Sequence, residues 1–150
     1  MSEHLEILNT RLFAASRQAV FDAFAEPEQL KLWWGPDGFT NSIPEFDLRP
    51  GGKWRIVMTA SDGTDFDNHC TFEEVVVPER ISYVHHLPMH VFSMEMTFDE
   101  EAGGTRLTWR MLFEPTYENR QLQKFLAAAN EQNFDRLEHH LHHQPGKPRP

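Results

Sequence analysis

Cysteine is almost absent. Cys70 is the only one in 150 residues, so a disulfide framework and a thiolate metal cluster are both excluded, and a reducing, cytoplasmic setting is expected. Positive charge is scarce as well: 14 Lys and Arg stand against 23 Asp and Glu, a formal net charge of -9. Apart from Lys147 and Arg149 there is no basic run, and a chain of this charge repels phosphate backbones and anionic lipid. Nucleic acid is therefore not an expected partner. Long apolar stretches are also missing. Met1 to Asn9 carries Glu3 and Glu6 and lacks a hydrophobic run, so neither a signal peptide nor a membrane span is expected there. No GxSxG elbow and no Ser-His-Asp order occurs.

What is present suits a folded domain. Hydrophobic residues make up 39% of the chain and aromatics 12%, with twelve Phe, enough for a core in one domain covering 1–150. Its core is expected at about 5–141, with 142–150 as a flexible tail. Glu6 to Phe13 alternates like a strand, with Ile7 and Asn9 opposite Leu8 and Leu12. Ser16 reads as an N-cap for a short helix bearing Val20, Phe21 and Phe24. Pro27 interrupts it and starts a second helical piece, Gln29 to Trp34. Gly35, Pro36, Asp37 and Gly38 form a loop. Further strands are expected at Ser42 to Leu48, Lys53 to Ala60, Asp65 to Val76, Arg80 to His86, His90 to Asp99 and Thr105 to Phe113, an antiparallel meander.

The last hairpin allows a register to be written down. With Glu101 to Gly104 as the turn, Phe98 meets Leu107, Met96 meets Trp109, Met94 meets Met111 and Phe92 meets Phe113 on one face. Asp99 then meets Arg106, Thr97 meets Thr108 and Glu95 meets Arg110 on the other. One face is apolar and the other charge-complementary, so Glu95 and Arg110 read as a solvated pair.

From Thr116 to Leu141 the chain reads as one long helix. Leu122, Phe125, Leu126, Ala129, Phe134, Leu137 and Leu141 recur at helical spacing and must face the sheet. Asn130 and Asn133 border that dry face, and buried amides need partners. The fold class is thus α+β: a curved antiparallel sheet of about six or seven strands around a long C-terminal helix, with two short helices after the first strand. Trp54, Tyr83, Met94, Met96, Trp109, Met111 and Phe125 would fill the space between sheet and helix, or line a cavity there.

Several residues invite chemistry. Trp33 and Trp34 before Gly35-Pro36 could be the lip of a ligand entrance. Alternatively, one of them anchors the helix. Arg49-Pro50-Gly51-Gly52 lacks the spacing of a phosphate loop and reads as a turn. Among His69, His85, His86 and His90, only His85 shares a face with Ile81 and Tyr83, which makes it the candidate for orienting a ligand or acting as a base. Asp65 and Asp67 read as a polar turn, or as paired carboxylates at a pocket mouth. His139 and His143 lie four apart on a helix, but no metal site is expected. Cys70 reads as a buried small hydrophobe.

The order of these elements, with Leu32-Trp33-Trp34-Gly35-Pro36, Asp47-Leu48-Arg49-Pro50-Gly51-Gly52-Lys53-Trp54, Glu74-Val75, Pro78-Glu79-Arg80-Ile81 and Asn133-Phe134, resembles the START-like (SRPBCC, Bet v 1-like) helix-grip superfamily. Within it, the chain is similar to the family named for homology to the activator of the heat-shock protein 90 ATPase. The resemblance runs from Leu5 to Leu141 and rests on structural motifs. It implies a deep pocket between sheet and long helix, used across the superfamily for lipids, sterols and polyketides. The pocket residues it implies are Trp33, Trp34, Trp54, Phe72, Tyr83, His85, Met94, Met96, Trp109, Met111, Phe125 and Asn133.

Three functions follow as expectations. The first is binding of a small apolar or aromatic molecule, without a cofactor. The second is a cyclase or dehydratase using His85 as base. The third is a chaperone partner stimulating the ATPase, although the activators behind the family name carry an additional domain for which 150 residues leave no room. The oligomeric state, including a dimer through an edge strand, stays open.

Overall fold

Alternation of apolar and polar residues, punctuated by Gly, Pro and Asp turns, produces seven strands in a single antiparallel sheet. The structure is a computed structural model that describes residues 4–88 and 91–142. His90, His143 and the expected tail from 143 onward therefore lie outside the described residues. In chain order the elements are β1 (Leu5–Phe13), α1 (Arg17–Ala25), α2 (Pro27–Trp33), β2 (Thr40–Phe46), β3 (Lys53–Thr59), β4 (Asp65–Val76), β5 (Arg80–Leu87), β6 (Phe92–Glu101), β7 (Gly104–Phe113) and α3 (Tyr117–His142). The sheet runs β1-β7-β6-β5-β4-β3-β2. A meander from β2 to β7 thus closes by pairing its last strand with the first.

Ser16 caps α1 by accepting the Ala19 N–H at 3.1 Å, and Pro27 opens α2 at a position where its missing N–H costs nothing. The β6–β7 register places Met94 opposite Met111, Glu95 opposite Arg110, Met96 opposite Trp109 and Phe98 opposite Leu107, as the alternation requires. On the outer face, Glu95 accepts from Arg110 at 2.8 Å, and Arg110 also reaches Glu6 at 2.8 Å. Arg80 bridges Glu74 and Glu95, so the expected pair is part of a chain of five charges. The strand expected at Ser42 to Leu48 begins and ends two residues earlier, and Pro44 interrupts its ladder between Ser42 and Glu45. Beyond Phe46 the Asp47 N–H turns back onto the Lys53 carbonyl at 2.9 Å.

Helix α3 lies across the concave face, and its burial is uneven. Asn130, Asn133, Phe134 and Leu137 are its buried residues. Phe134 packs edge-on against Phe13 (5.8 Å) and Trp109 (4.8 Å). Arg11 of β1 ties this half down through Glu131 at 3.0 Å and Asp135 at 2.8 Å, with its guanidinium 5.6 Å from the Phe134 ring centre. The stripe expected to be dry fails in the first half: Phe125 is 67% exposed. There the helix spans open space rather than packed side chains. The solid core is elsewhere, around Phe21, Phe24, Leu30, Trp33 and Phe98, where α1 and α2 cover the sheet.

Candidate functional site

Strand phase decides which side chains can reach the space under the first half of α3. In β4 the residues Phe66, Asn68 and Cys70 point inward, as do Tyr83 and His85 in β5, Met94 in β6, and Trp109 and Met111 in β7. They enclose a cavity of about 490 Å³, within the range of small-molecule sites. From β3 come Trp54, Ile56 and Met58, and α3 supplies Phe125, Leu126, Ala129, Asn130 and Asn133. The loop after α2 completes the wall with Trp34, Gly35, Pro36 and Phe39.

Of the twelve residues expected around a pocket, the structure brings nine to this cavity: Trp34, Trp54, Tyr83, His85, Met94, Trp109, Met111, Phe125 and Asn133. Phe125 stands at its edge rather than in the core, given its exposure. Three do not reach it. Trp33 is turned into the seat of α1 and α2, where its indole donates to the Ala23 carbonyl at 2.9 Å. Phe72 lies behind Trp54, stacked on it at 5.9 Å and edge-on to Phe46 at 5.5 Å. Met96 sits one step along β6 from Met94, paired between Ile81 and Trp109, where the core is filled.

Polar groups are few, and most are held. Asn68 was not among the expected site residues, although it occupies the inward phase between Phe66 and Cys70. Its amide nitrogen donates to the carbonyls of Phe66 (3.0 Å) and Ile56 (3.3 Å), so its oxygen must be the acceptor facing His85 Nε2 at 2.7 Å. That geometry puts a proton on His85 Nε2. The imidazole is also stacked on Phe92, with ring centres 4.6 Å apart. Asn130 donates to Asn9 Oδ1 at 3.0 Å and to Met111 Sδ at 3.2 Å. Burial pushes the Tyr83 phenol well above its ordinary value, with a smaller push from Cys70. Burial also raises the Cys70 thiol to about 12. Both are neutral donors at physiological pH, and Cys70 is no nucleophile.

Asp65 and Asp67, read as a polar turn or else as paired carboxylates at a pocket mouth, are neither, because β4 already runs from Asp65. Asp65 and Asp67 take the outward phase of β4. There Asp67 accepts from Arg55 at 2.9 and 2.8 Å, and that pairing holds it below the usual carboxylate value. His69 approaches Asp67 at 3.2 Å and His86 meets Thr71 at 2.9 Å, both on the outside. No group of three or more metal-ligating side chains forms among the described residues.

The loop after α2 is tied down by a residue that was also not expected, Arg136. Its guanidinium donates to the carbonyls of Trp34 (3.0 Å), Gly35 (3.1 Å), Pro36 (2.8 Å) and Phe39 (2.9 Å). Burial lowers its pKa, against a smaller opposing effect of Asp37. Asn133 Oδ1 accepts the Gly35 N–H at 3.2 Å, and Gln132 accepts that of Asp37 at 3.1 Å. Gly35 has φ +98, a backbone conformation that favours glycine over any residue with a side chain.

The family model for activator of Hsp90 ATPase homolog 1-like protein matches residues 14–142. The chain belongs to this family. A crystal structure of a protein from Nitrosomonas europaea is 26% identical, covers 92% of this chain and 94% of its own, and superposes with a TM-score of 0.80. A solution structure from Arthrobacter aurescens is 18% identical over 97% of this chain and 94% of its own, with a TM-score of 0.85. A Mycobacterium smegmatis crystal structure is 23% identical over 97% and 93%, with a TM-score of 0.78. These last two share the fold. No curated protein matches the chain. Among the described residues, no helix is long and apolar enough to cross a membrane.

Proposed function

We propose that the protein binds a small apolar or aromatic molecule in the cavity between sheet and α3. The observation that carries this reading is the composition of the wall. Among its described residues there is no Asp, Glu, Lys or Arg, and Trp34, Trp54 and Trp109 stand together, with Trp34 ring centres 5.2 and 5.4 Å from the other two. A packed interior leaves few voids larger than a water molecule, so a cavity of about 490 Å³ walled by rings is a site for apolar surface. Burial contributes about 25 cal/mol per Å² before the costs of association.

Acid-base catalysis at His85 is the weaker alternative, because Nε2 is committed as a donor to Asn68 and no carboxylate joins it in the wall. Native mass spectrometry of protein purified without denaturation tests the reading. An adduct of a few hundred daltons, lost on denaturation, is the expected outcome. Absence of any adduct, joined to no thermal shift with sterols, fatty acids and aromatic polyketides, would overturn it.

A further inference from the structure

Helix α3 brings two side-chain amides to the cavity it roofs, and the fold fixes which way round each of them lies. Asn130 and Asn133 are 8% and 6% exposed, and both line the cavity. Three residues apart on a helix, they are neighbours, with about 5–6 Å between their Cβ atoms. An amide has a donor end and an acceptor end. Asn133 takes the Gly35 backbone N–H at 3.2 Å, which only its oxygen can accept, so the nitrogen is the end left over. Asn130 is fixed through Asn9. One end of the Asn9 amide meets the Ala127 carbonyl at 3.2 Å and the Glu131 carboxylate at 2.7 Å, and only a nitrogen serves both. The Asn9 oxygen therefore faces Asn130, and the atom it meets at 3.0 Å is the Asn130 nitrogen. On Asn130 the oxygen is left over.

Among the described residues, nothing accepts from Asn133 Nδ2 and nothing donates to Asn130 Oδ1. The buried polar atoms that are unanswered and also closed to a water molecule are Asn41 Oδ1, Trp54 Nε1 and Trp109 Nε1. The two asparagine atoms are not among these. Each therefore has open space beside it, and for side chains this deeply buried in the wall that space is the cavity. One donor and one acceptor stand side by side in a wall without Asp, Glu, Lys or Arg to balance a charge.

We propose that the ligand carries an uncharged amide-type edge, a lactam or carboxamide whose carbonyl accepts from Asn133 Nδ2 and whose N–H donates to Asn130 Oδ1. This rests on the cavity-binding reading and specifies its ligand. In such an edge the acceptor and the donor leave one carbon on the same side, which matches the pair in polarity. A ligand without them would strip both asparagines of water and return no bond. An ionised ligand would bring an unbalanced charge against an apolar wall. The asparagines thereby separate apolar molecules that shape alone would not.

Four two-ring probes test it by equilibrium dialysis against the full chain: naphthalene, coumarin, 2-quinolone and 2-naphthoate. Quinolone and coumarin share one shape and one carbonyl, and only quinolone has the N–H beside it. Quinolone is expected to bind about three- to tenfold tighter than coumarin, the worth of one neutral hydrogen bond, and naphthoate weakest of the four. The carbonyl stretch of bound quinolone, read by infrared difference spectroscopy, is expected below its value in cyclohexane, where nothing donates to it. Asn9 lies outside the cavity wall and holds Asn130 in its orientation, so in Asn9→Leu the quinolone-to-coumarin ratio is expected to fall below about twofold. A variant that merely loosened α3 would weaken both probes and keep the ratio. Equal binding of quinolone and coumarin, tightest binding of naphthoate, a stretch equal to that in cyclohexane, or a ratio that survives in Asn9→Leu would each overturn the inference. Cavity binding would stand in each of these cases. If none of the four binds, the reading beneath it fails as well. Should Asn9→Leu not fold, the ranking and the stretch in the native chain decide.

Discussion

Removing Arg136 should loosen the loop after α2 and lower global stability together. The guanidinium reaches four carbonyls between 2.8 and 3.1 Å, three of them through the two hydrogens of Nη1, so about three independent bonds are at stake. Hydrogen bonds from a charged donor contribute about 1.5–3 kcal/mol each in a protein. The freed carbonyls regain water when the loop lifts, which offsets part of the sum. A net cost of about 2–4 kcal/mol is the reasonable figure for Arg136→Met, which keeps the apolar stem. For a domain of this size that corresponds to a fall of about 5–15 °C in Tm. Arg136→Lys should lose most of the same amount, because an ammonium cannot fork across the loop. Urea unfolding gives the global value, and amide exchange at Gly35 and Asp37 gives the local one. Stability within about 0.5 kcal/mol of wild type, with unchanged exchange at those two amides, would refute the argument.

Other outcomes follow from the same geometry. Burial raises the Glu95 carboxyl, but the guanidiniums of Arg80 and Arg110 outweigh it and hold the group below its ordinary value. The folded state therefore binds fewer protons than the unfolded one, and the contribution present above about pH 4.3 is lost as pH falls through the lowered folded value. The stability gap between wild type and Glu95→Gln should narrow below that pH in urea titrations; a constant gap would contradict it. Cys70, with its thiol raised to about 12, should alkylate at pH 8 several hundredfold more slowly in the native than in the unfolded chain, read by mass spectrometry, and a ratio under tenfold would count against its burial. Trp33→Phe should cost about 1–3 kcal/mol for the lost bond to Ala23 while leaving the adduct seen by native mass spectrometry unchanged. Asn68→Ala should release His85 and cost a similar amount, seen as a lower urea midpoint.

Much of this arrangement is legible in the residues. The β6–β7 pairing follows from two runs in which every second residue is apolar, and a slip of one place would bury Glu95 and Arg110. Trp33 and Trp34 are harder. They fall where a helix ends, α2 stopping at Trp33, and periodicity does not say which ring turns to the core and which to the loop. Phe125 keeps helical step with Phe134, yet the sheet does not close against it, and curvature is not written in hydrophobic spacing. Asn68 and Arg136 escaped because polar residues beside a wet face are read as solvated. Each nevertheless carried a mark. Asn68 stands in the inward phase of an aromatic strand, and Arg136 has Gln132, Asn133, His139 and His140 at helical spacing, so it lacks the acidic partner that a surface arginine on a helix often has.

The uneven seating of α3 bears on how a molecule could enter. All of the helix's buried residues come at Asn130 or later, where Arg11 and Phe134 rivet it to β1 and β7. Before that point its direct holds on the sheet include the Gln123 amide donating to the Glu6 carbonyl at 3.2 Å and the Asn9 amide donating to that of Ala127 at 3.2 Å. Lifting the loop would break the whole Arg136 fork, whereas the early turns of α3 bring no fully sheltered side chain of their own. The half of α3 before Asn130 is therefore held to the sheet more lightly than the half after it, and the half that is lightly held is the one that roofs the cavity.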